Sequence, residues 1–347
     1  GDSVVVAPIM TLDEGAVGIL RDATFAIADA VGVQGACNVQ FAVNPGDPSD
    51  FYVIEINPRA SRSSALASKA TGYPIARVAA KVALGYGLDE IPLWDGGPMA
   101  SEPPAVSHVA LKFPRWPFDK FPDADRSIGV RMKSTGEVMG LGDRFEEAFV
   151  KALRGLDLGG GALWDGSLSS LGDRELLELV SVPNDRRIFA LLEALSRGMG
   201  VEELSHRSGI RAPFLEGMRG VVDACLWLAK APFDRGSMER AKSLGIGDSQ
   251  VARLWGVPEE SVRTFREAAG LWGRLVPVGG VEGFPYTYRR LDRGVPSPIK
   301  ADSGAVMVVG SGPIRIGQGI EFDCCSVRAL RELRRLGIRS VMVNNNP

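Results

Sequence analysis

The stretch YVIEINPRASRSS, Tyr52 to Ser64, decides how the first half of this sequence is read. Successive side chains of an extended strand point to opposite faces. Ile54 and Ile56 therefore share one face, and Glu55 and Asn57 the other. Upstream, CNVQFAV (Cys37 to Val43) repeats the period, with Asn38 and Gln40 on one face and Val39 and Phe41 on the other. A turn rich in Pro, Gly and Asp separates the two runs, which signals a hairpin with a longer loop. Paired, the strands would turn an apolar face to a core. The opposite face would carry Asn38, Gln40, Glu55 and Asn57, a set of oxygen ligands with one formal negative charge.

Carboxylate and amide oxygens suit a hard cation, and magnesium takes few protein ligands, completing its shell with water and substrate phosphates. Arg59 and Arg62 follow at once, and a guanidinium fork matches phosphate or carboxylate oxygens. Ser63 and Ser64 lead into a helix whose N-terminus favours an anion. The stretch thus fits a site for Mg–ATP with an anionic co-substrate. It fits equally a half-exposed hairpin whose polar face meets water, as antiparallel sheets often do; spacing alone does not choose.

Composition narrows the classes. The chain has 347 residues and a formal net charge of −2, enough for two or three domains and without a whole-chain electrostatic footprint for nucleic acid. Cys37, Cys225, Cys324 and Cys325 show no CxxC spacing and read as reduced thiols of a cytosolic-type protein; the last three read as packing thiols. Two histidines, His108 and His206, are too few for a three-histidine metal site and read as structural. No apolar run is long enough to cross a bilayer, and no secretory signal opens the chain. The start almost inside a strand (Val4 to Ala7) and the stop just after one (VMVNNNP) lead us to expect an internal segment of a longer polypeptide.

Along the chain, residues 11 to 31 carry apolar positions at helical spacing. The run from Ser63 to Gly87 reads as two helices broken at Gly72-Tyr73-Pro74. HVALKF reads as a strand and EEAFVKALRGL as a helix. Beyond residue 158 come short helices: RRIFALLEALSRGM, APFLEGMRGVVDACLWLAK, SMERAKSLG, DSQVARLWG and EESVRTFREAAG. The stretch from Val276 to Gly304 reads as a linker. AVMVVG, GSGPIRIGQGIEFD, CCSVRALRELRRLG and RSVMVNNNP then form one βαβ unit. A dinucleotide fingerprint in its loop would need glycine at 315, where Arg315 stands. The basic run RELRRLGIR reads as a solvated helix face.

Four segments resemble the large chain of carbamoyl-phosphate synthetase: CNVQFAVNP, the run from Val53 to Pro92 beginning VIEINPRASRSSALASKATGYP, MKSTGEVMGLGDRFEEAFVKALRGL, and GSGPIRIGQGIEFDCCSV. The resemblance covers most of residues 1–157 and 305–347 and is weak through the helical middle. It implies an α/β plus all-α fold: residues 1–157 as the C-terminal part of the first ATP-grasp (carboxyphosphate) domain, 158–290 as a helical oligomerisation domain, 291–304 as linker, and 305–347 as the start of a Rossmann-like pre-ATP-grasp domain. It implies ATP-dependent synthesis of carbamoyl phosphate from bicarbonate and glutamine-derived ammonia through carboxyphosphate and carbamate, feeding arginine and pyrimidine synthesis in the cytoplasm.

Residue by residue, the resemblance makes Gln40, Glu55 and Asn57 metal ligands for Mg2+ or Mn2+, and Gln40, Glu55 and Arg59 contacts to ATP. Arg59 and Arg62 become catalytic groups beside the phosphates and carboxyphosphate. Arg315, Gly319 and Glu321 become part of a tunnel-lining loop. K+ is a candidate further ion, and a glutamine amidotransferase small subunit the expected partner, with homo-oligomerisation through the helical domain and no nucleic acid or membrane partner. The glycine-rich loop and adenine-binding part of the ATP-grasp fold should precede Gly1, so residues 1–347 alone are expected to be inactive. No Asp-Thr-x-Ala-Ala-Glu run occurs between Val276 and Gly304. Other readings are another ATP-grasp carboxylase or ligase of biotin-carboxylase type, and a non-catalytic assembly module.

Overall fold

The computed structural model describes residues 2–44, 46–94, 96–104, 106–156, 158, 163, 166–277, 287–293, 304–310 and 321–343. The elements run β1 (Val5–Ala7), α1 (Glu14–Val31), β2 (Asn38–Asn44), β3 (Asp47–Asn57), α2 (Arg62–Thr71), α3 (Ile75–Ala83), β4 (Val109–Arg115), β5 (Gly136–Gly142) and α4 (Phe145–Gly155). The helices α5 (Asp173–Ser181), α6 (Arg187–Ser196), α7 (Val201–Ser208), α8 (Ala212–Lys230), α9 (Arg235–Ser243), α10 (Asp248–Trp255) and α11 (Glu259–Ala268) follow. The chain continues through β6 (Leu271–Pro277), β7 (Thr287–Arg293), β8 (Val306–Val309), α12 (Glu321–Arg335) and β9 (Ser340–Val343). Contacts divide it into two compact units, one built mainly from residues 7–108 and the other mainly from 109–276 and 288–347.

In the first unit Asp13 caps α1, its Oδ1 accepting the Ala16 N–H at 2.8 Å, and Gly32 ends the helix at φ 70°, where a Cβ would be strained. β2 and β3 pair antiparallel, with Asn38 opposite Asn57, Val39 opposite Ile56 and Gln40 opposite Glu55. The register then shifts: Phe41 faces Val53, so Ile54 is the extra residue of a bulge. Gly72, at φ 76°, closes α2 before Pro74 starts the next turn. Behind α3 a small core of Val78, Ile91, Leu93 and Ala100 forms, tied by Tyr73 Oη donating to Ala100 O at 2.7 Å and Arg77 Nη1 to Leu93 O at 2.8 Å. His108 is buried and hydrogen-bonded to the Ala70 backbone, and burial lowers its pKa.

Among the described residues the hairpin's apolar face does not pack on a core as expected. Val39, Phe41 and Ile56 are only half-buried, and Tyr52 and Ile54 are 72% and 61% exposed. Phe41 and Phe51 meet edge-on at 5.5 Å instead, a cross-strand pair rather than a core.

The second unit starts with a three-stranded sheet in the order β1-β4-β5. β4 and β5 pair antiparallel from Val109–Gly142 to Arg115–Gly136. α4 lies directly on β5: a Cβ on Gly140 would stand 2.0 Å from Ala148 O, and one on Gly142 would stand 2.7 Å from Glu147 Cβ. One continuous core runs from Leu111, Phe113 and Val138 through Phe149 to Leu191, Leu192, Val221, Val222, Val251 and Val262. The stretch expected as linker holds β7 instead, paired with β6; TYRRLDR, charged at four of its seven positions, lacks the apolar alternation that marks a strand. β8 and β9 pair parallel and, with α12, form the expected βαβ unit. Its glycine-rich loop, residues 311–320, lies outside the described residues.

Lys242 is 1% exposed in this core. Its Nζ lies 2.6 Å from Asp248 Oδ1 and donates to Ile246 O at 2.8 Å. Asp248 also faces Arg266 Nε at 3.1 Å. Burial pushes the Lys242 pKa down to about 8, against the opposing pull of Asp248. The unfolded chain keeps the ordinary value near 10.5, so between these values it binds a proton that the native state has released. Stability linked to Lys242 therefore rises as pH increases through this window. Thermal unfolding of wild type and Lys242→Met at a series of pH values should show the difference moving in favour of wild type from about pH 8 upward. A pH-independent difference would mean the ammonium is not desolvated.

Candidate functional site

The hairpin brings the four predicted face residues together. Directly opposed residues in an antiparallel pair share a face, so Asn38 and Asn57 lie beside Gln40 and Glu55. Glu55 Oε1 accepts two amide N–H groups, from Gln40 Nε2 at 2.8 Å and from Asn57 Nδ2 at 2.9 Å. Gln40 Nε2 also donates to Asn38 Oδ1 at 3.4 Å. Gln40 and Glu55 are exposed, and Asn38 and Asn57 half-buried.

The strand ends in a turn that folds Arg59 back over this cluster. The Arg59 backbone N–H donates to Asn57 O at 2.8 Å, a three-residue turn centred on Pro58. The Arg59 guanidinium then donates to Asn57 Oδ1 and to Ala60 O, each at 3.4 Å. Ser61 caps α2 reciprocally: its N–H donates to Ser64 Oγ at 3.0 Å, and its Oγ accepts the Ser64 N–H at 3.3 Å. The start of α2 is thereby fixed just beyond the cluster, with Arg62 as its first residue. The side chain of Arg62 lies outside the described residues, as do Arg315, Gly319 and the side chain of Glu321.

The donor set fits a hard cation. With Glu55 Oε1 engaged by two amide nitrogens, Glu55 Oε2 and the amide oxygen of Gln40 meet no hydrogen-bond donor among the described residues. These are oxygen ligands of the kind magnesium or manganese accepts, few in number and open to solvent on one side. Among the described residues no group of three or more His, Cys, Asp or Glu could hold a metal; a cluster of one carboxylate and three amides is a different donor class.

The cysteines divide. Cys225 is a packing thiol, 1% exposed, its pKa pushed up to about 12 by burial. Cys324 and Cys325 are exposed, against expectation: among the described residues α12 packs on the short strands β8 and β9, and neither thiol is buried by them. His206 is exposed in the last turn of α7. Sequence reasoning missed a cavity of about 620 Å3 lined by Arg115, Trp116, Asp119, Arg126, Asp185 and Gln250 among others. Arg115 pairs with Asp119 at 2.9 Å and Arg126 Nε with Asp185 Oδ1 at 3.0 Å. The two ends of the second pair lie 59 residues apart, so only the fold could reveal it.

Three family models match the chain. Residues 1–91 match the carbamoyl-phosphate synthase L chain, ATP binding domain. Residues 137–270 match the carbamoyl-phosphate synthetase large chain, oligomerisation domain, and residues 302–347 the carbamoyl phosphate synthase preATP-grasp domain. Relatives include the carbamoyl phosphate synthase large chains of Thermoanaerobacter pseudethanolicus, 43% identical over 353 residues, Methanothrix thermoacetophila, 45% over 355 residues, and Clostridium perfringens strain 13, 45% over 362 residues. Each alignment covers 100% of this chain and 33%, 32% and 33% of the respective relative. The matches define part of a large, ATP-binding synthase chain. This chain belongs to the carbamoyl-phosphate synthase large-chain family and spans about a third of the length of the curated relatives it matches.

The reciprocal Ser61–Ser64 cap is testable by itself. Ser61→Ala removes the acceptor for the Ser64 N–H, a loss of about 1 kcal/mol. Amide hydrogen exchange at the start of α2 should quicken roughly 5-fold while the core helices are unchanged. Unaltered exchange at Ser64 would show that the cap does not hold this helix end.

Proposed function

We propose that the hairpin of β2 and β3 is the metal and nucleotide site of an ATP-grasp ligase. In the full-length protein it would transfer a phosphoryl group from ATP to bicarbonate, as the first step of carbamoyl phosphate synthesis. The observation that carries this reading is the convergence of Gln40, Glu55, Asn57 and Arg59 on one open hairpin end, in a chain whose residues 1–91 match an ATP-binding domain of this family.

Gln40, Glu55 and Asn57 would hold Mg2+ or Mn2+, which when bound supplies positive charge against the phosphate oxygens. Gln40, Glu55 and Arg59 would contact ATP. Arg59, tethered to Asn57 Oδ1, keeps its guanidinium fork beside the cluster, where it would neutralise the migrating phosphoryl group. Arg62, fixed by the Ser61 cap at the start of α2, would face the carboxyphosphate product. Phosphoryl transfer asks the protein mainly to position reactants and neutralise charge, and a carboxylate held by two amides is a rigid support for both. Arg315, Gly319 and Glu321 would line a passage for the unstable intermediate.

The same reading divides the chain into an ATP-grasp part (1–157), a helical oligomerisation part (158–290) and the start of a second half (305–347). Ammonia would come from a glutamine amidotransferase small subunit, and copies would associate through the helical part. Among the described residues no helix is long and apolar enough to cross a membrane; the cytoplasm is the proposed location.

Full-length protein should hydrolyse ATP in response to bicarbonate without biotin, and form carbamoyl phosphate when ammonia is added. Glu55→Ala should lower the bicarbonate-dependent rate by roughly 100-fold or more, the scale of losing one group that neutralises transition-state charge, with circular dichroism unchanged. Normal turnover by Glu55→Ala would remove Glu55 from the site. A requirement for biotin would favour the carboxylase class.

A further inference from the structure

α8 presents two unlike faces. Leu215, Met218, Val221, Val222, Cys225 and Leu228 are buried in the main core, and Trp255 Nε1 donates to Leu228 O at 2.8 Å, pinning the end of the helix. Asp223, Leu226, Trp227 and Lys230 follow the i, i+3, i+4, i+7 spacing that forms one stripe on a helix, and all four are exposed. Leu226 is 41% exposed and Trp227 61%. Neither Asp223 nor Lys230 has an ion-pair partner among the described residues. A shallow hollow of about 420 Å3 lies here, lined by Asp223, Leu226, Trp227, Lys230 and Ala231.

The order of these residues is self-complementary. Asp223 stands three positions before Leu226, and Lys230 three positions after Trp227. A two-fold axis crossing the helix between Leu226 and Trp227 runs a second α8 antiparallel to the first. It sets each Leu226 against the other copy's Trp227, and each Asp223 against the other copy's Lys230. The same patch then serves both copies, as an isologous contact requires. An apolar centre with a large aromatic, flanked by charge, is the anatomy of such interfaces. The stripe falls within residues 137–270, which match the family model described as an oligomerisation domain.

We infer that the Asp223–Leu226–Trp227–Lys230 face of α8 is a two-fold contact between two copies of this chain, with Trp227 as its anchor and two symmetric Asp223–Lys230 pairs as its register. The inference rests on the proposed self-association of the helical part and names the surface that performs it. Each pair occurs twice in the dimer, so reversing one charge replaces two attractions with two repulsions. Reversing both charges restores them with the polarity exchanged.

Sedimentation velocity of the full-length protein over a range of concentrations tests this. Wild type should associate. Trp227→Glu should weaken association roughly 30-fold or more, the scale of a central interface aromatic, with circular dichroism unchanged because the side chain is exposed. Asp223→Lys and Lys230→Asp should each weaken it about 5-fold or more, and the double reversal should recover most of the wild-type constant. Association unaffected by Trp227→Glu, or a double reversal no better than the single ones, overturns this face while leaving self-association through another face standing. A wild type that stays monomeric throughout overturns both.

Discussion

A single carboxylate oxygen organises the hairpin end. Glu55 Oε1 accepts an N–H from Gln40 across the strand pair and another from Asn57 along its own strand. This arrangement depends on the register that sets Gln40 opposite Glu55. A one-residue slip would carry every side chain of a strand to the opposite face. The bulge at Ile54 follows at once: Asn38–Asn57, Val39–Ile56 and Gln40–Glu55 stay in step, and the pairs from Phe41–Val53 onward are shifted by one residue. The turn at Pro58 and the cap at Ser61 then place Arg59 and the start of α2 around the same point. Carboxylate and amide oxygens, a guanidinium and a helix start are thus fixed by backbone devices within a few residues of one another.

The helical region is held differently. Its core is continuous from the sheet strands through α4 into α6, α8, α10 and α11. The close approach of α4 to β5 depends on glycine at 140 and 142, and the buried Lys242–Asp248–Arg266 group ties α9, α10 and α11 together. Such a core fixes which face of α8 turns inward and so which face remains for a partner.

Much of this was legible in the sequence. The period of two in CNVQFAV and VIEIN assigned Asn38, Gln40, Glu55 and Asn57 to one face, and the structure pairs them as read. The helices α1 to α4, α6 and α8 to α12 follow apolar spacing and were recognisable. β5 was not, because GEVMGLG carries three glycines in seven residues, which blurs a strand pattern; those at 140 and 142 admit α4, which no local pattern reveals. α5 and α7 are short and strongly charged, so their spacing is faint. The bulge at Ile54 was invisible because alternation predicts only an unbroken ladder. Exposure of Cys324 and Cys325 and of the hairpin's apolar face depends on which neighbours are present, a tertiary fact. The Arg126–Asp185 pair and the Lys242 cluster likewise join residues that only the fold brings together.

The central claim is that Glu55, with its two amides, holds a divalent cation beside a nucleotide. Electron paramagnetic resonance titration of the full-length protein with Mn2+, in the presence of a non-hydrolysable ATP analogue, tests it most directly. Because a second ATP site elsewhere in a longer chain would also bind, the difference between wild type and variant is the quantity to read. Glu55→Gln should abolish one class of nucleotide-dependent Mn2+ site, and Gln40→Ala should weaken the same class about 10-fold. Identical Mn2+ stoichiometry and affinity in wild type and Glu55→Gln would contradict it and leave the hairpin as a solvated polar face.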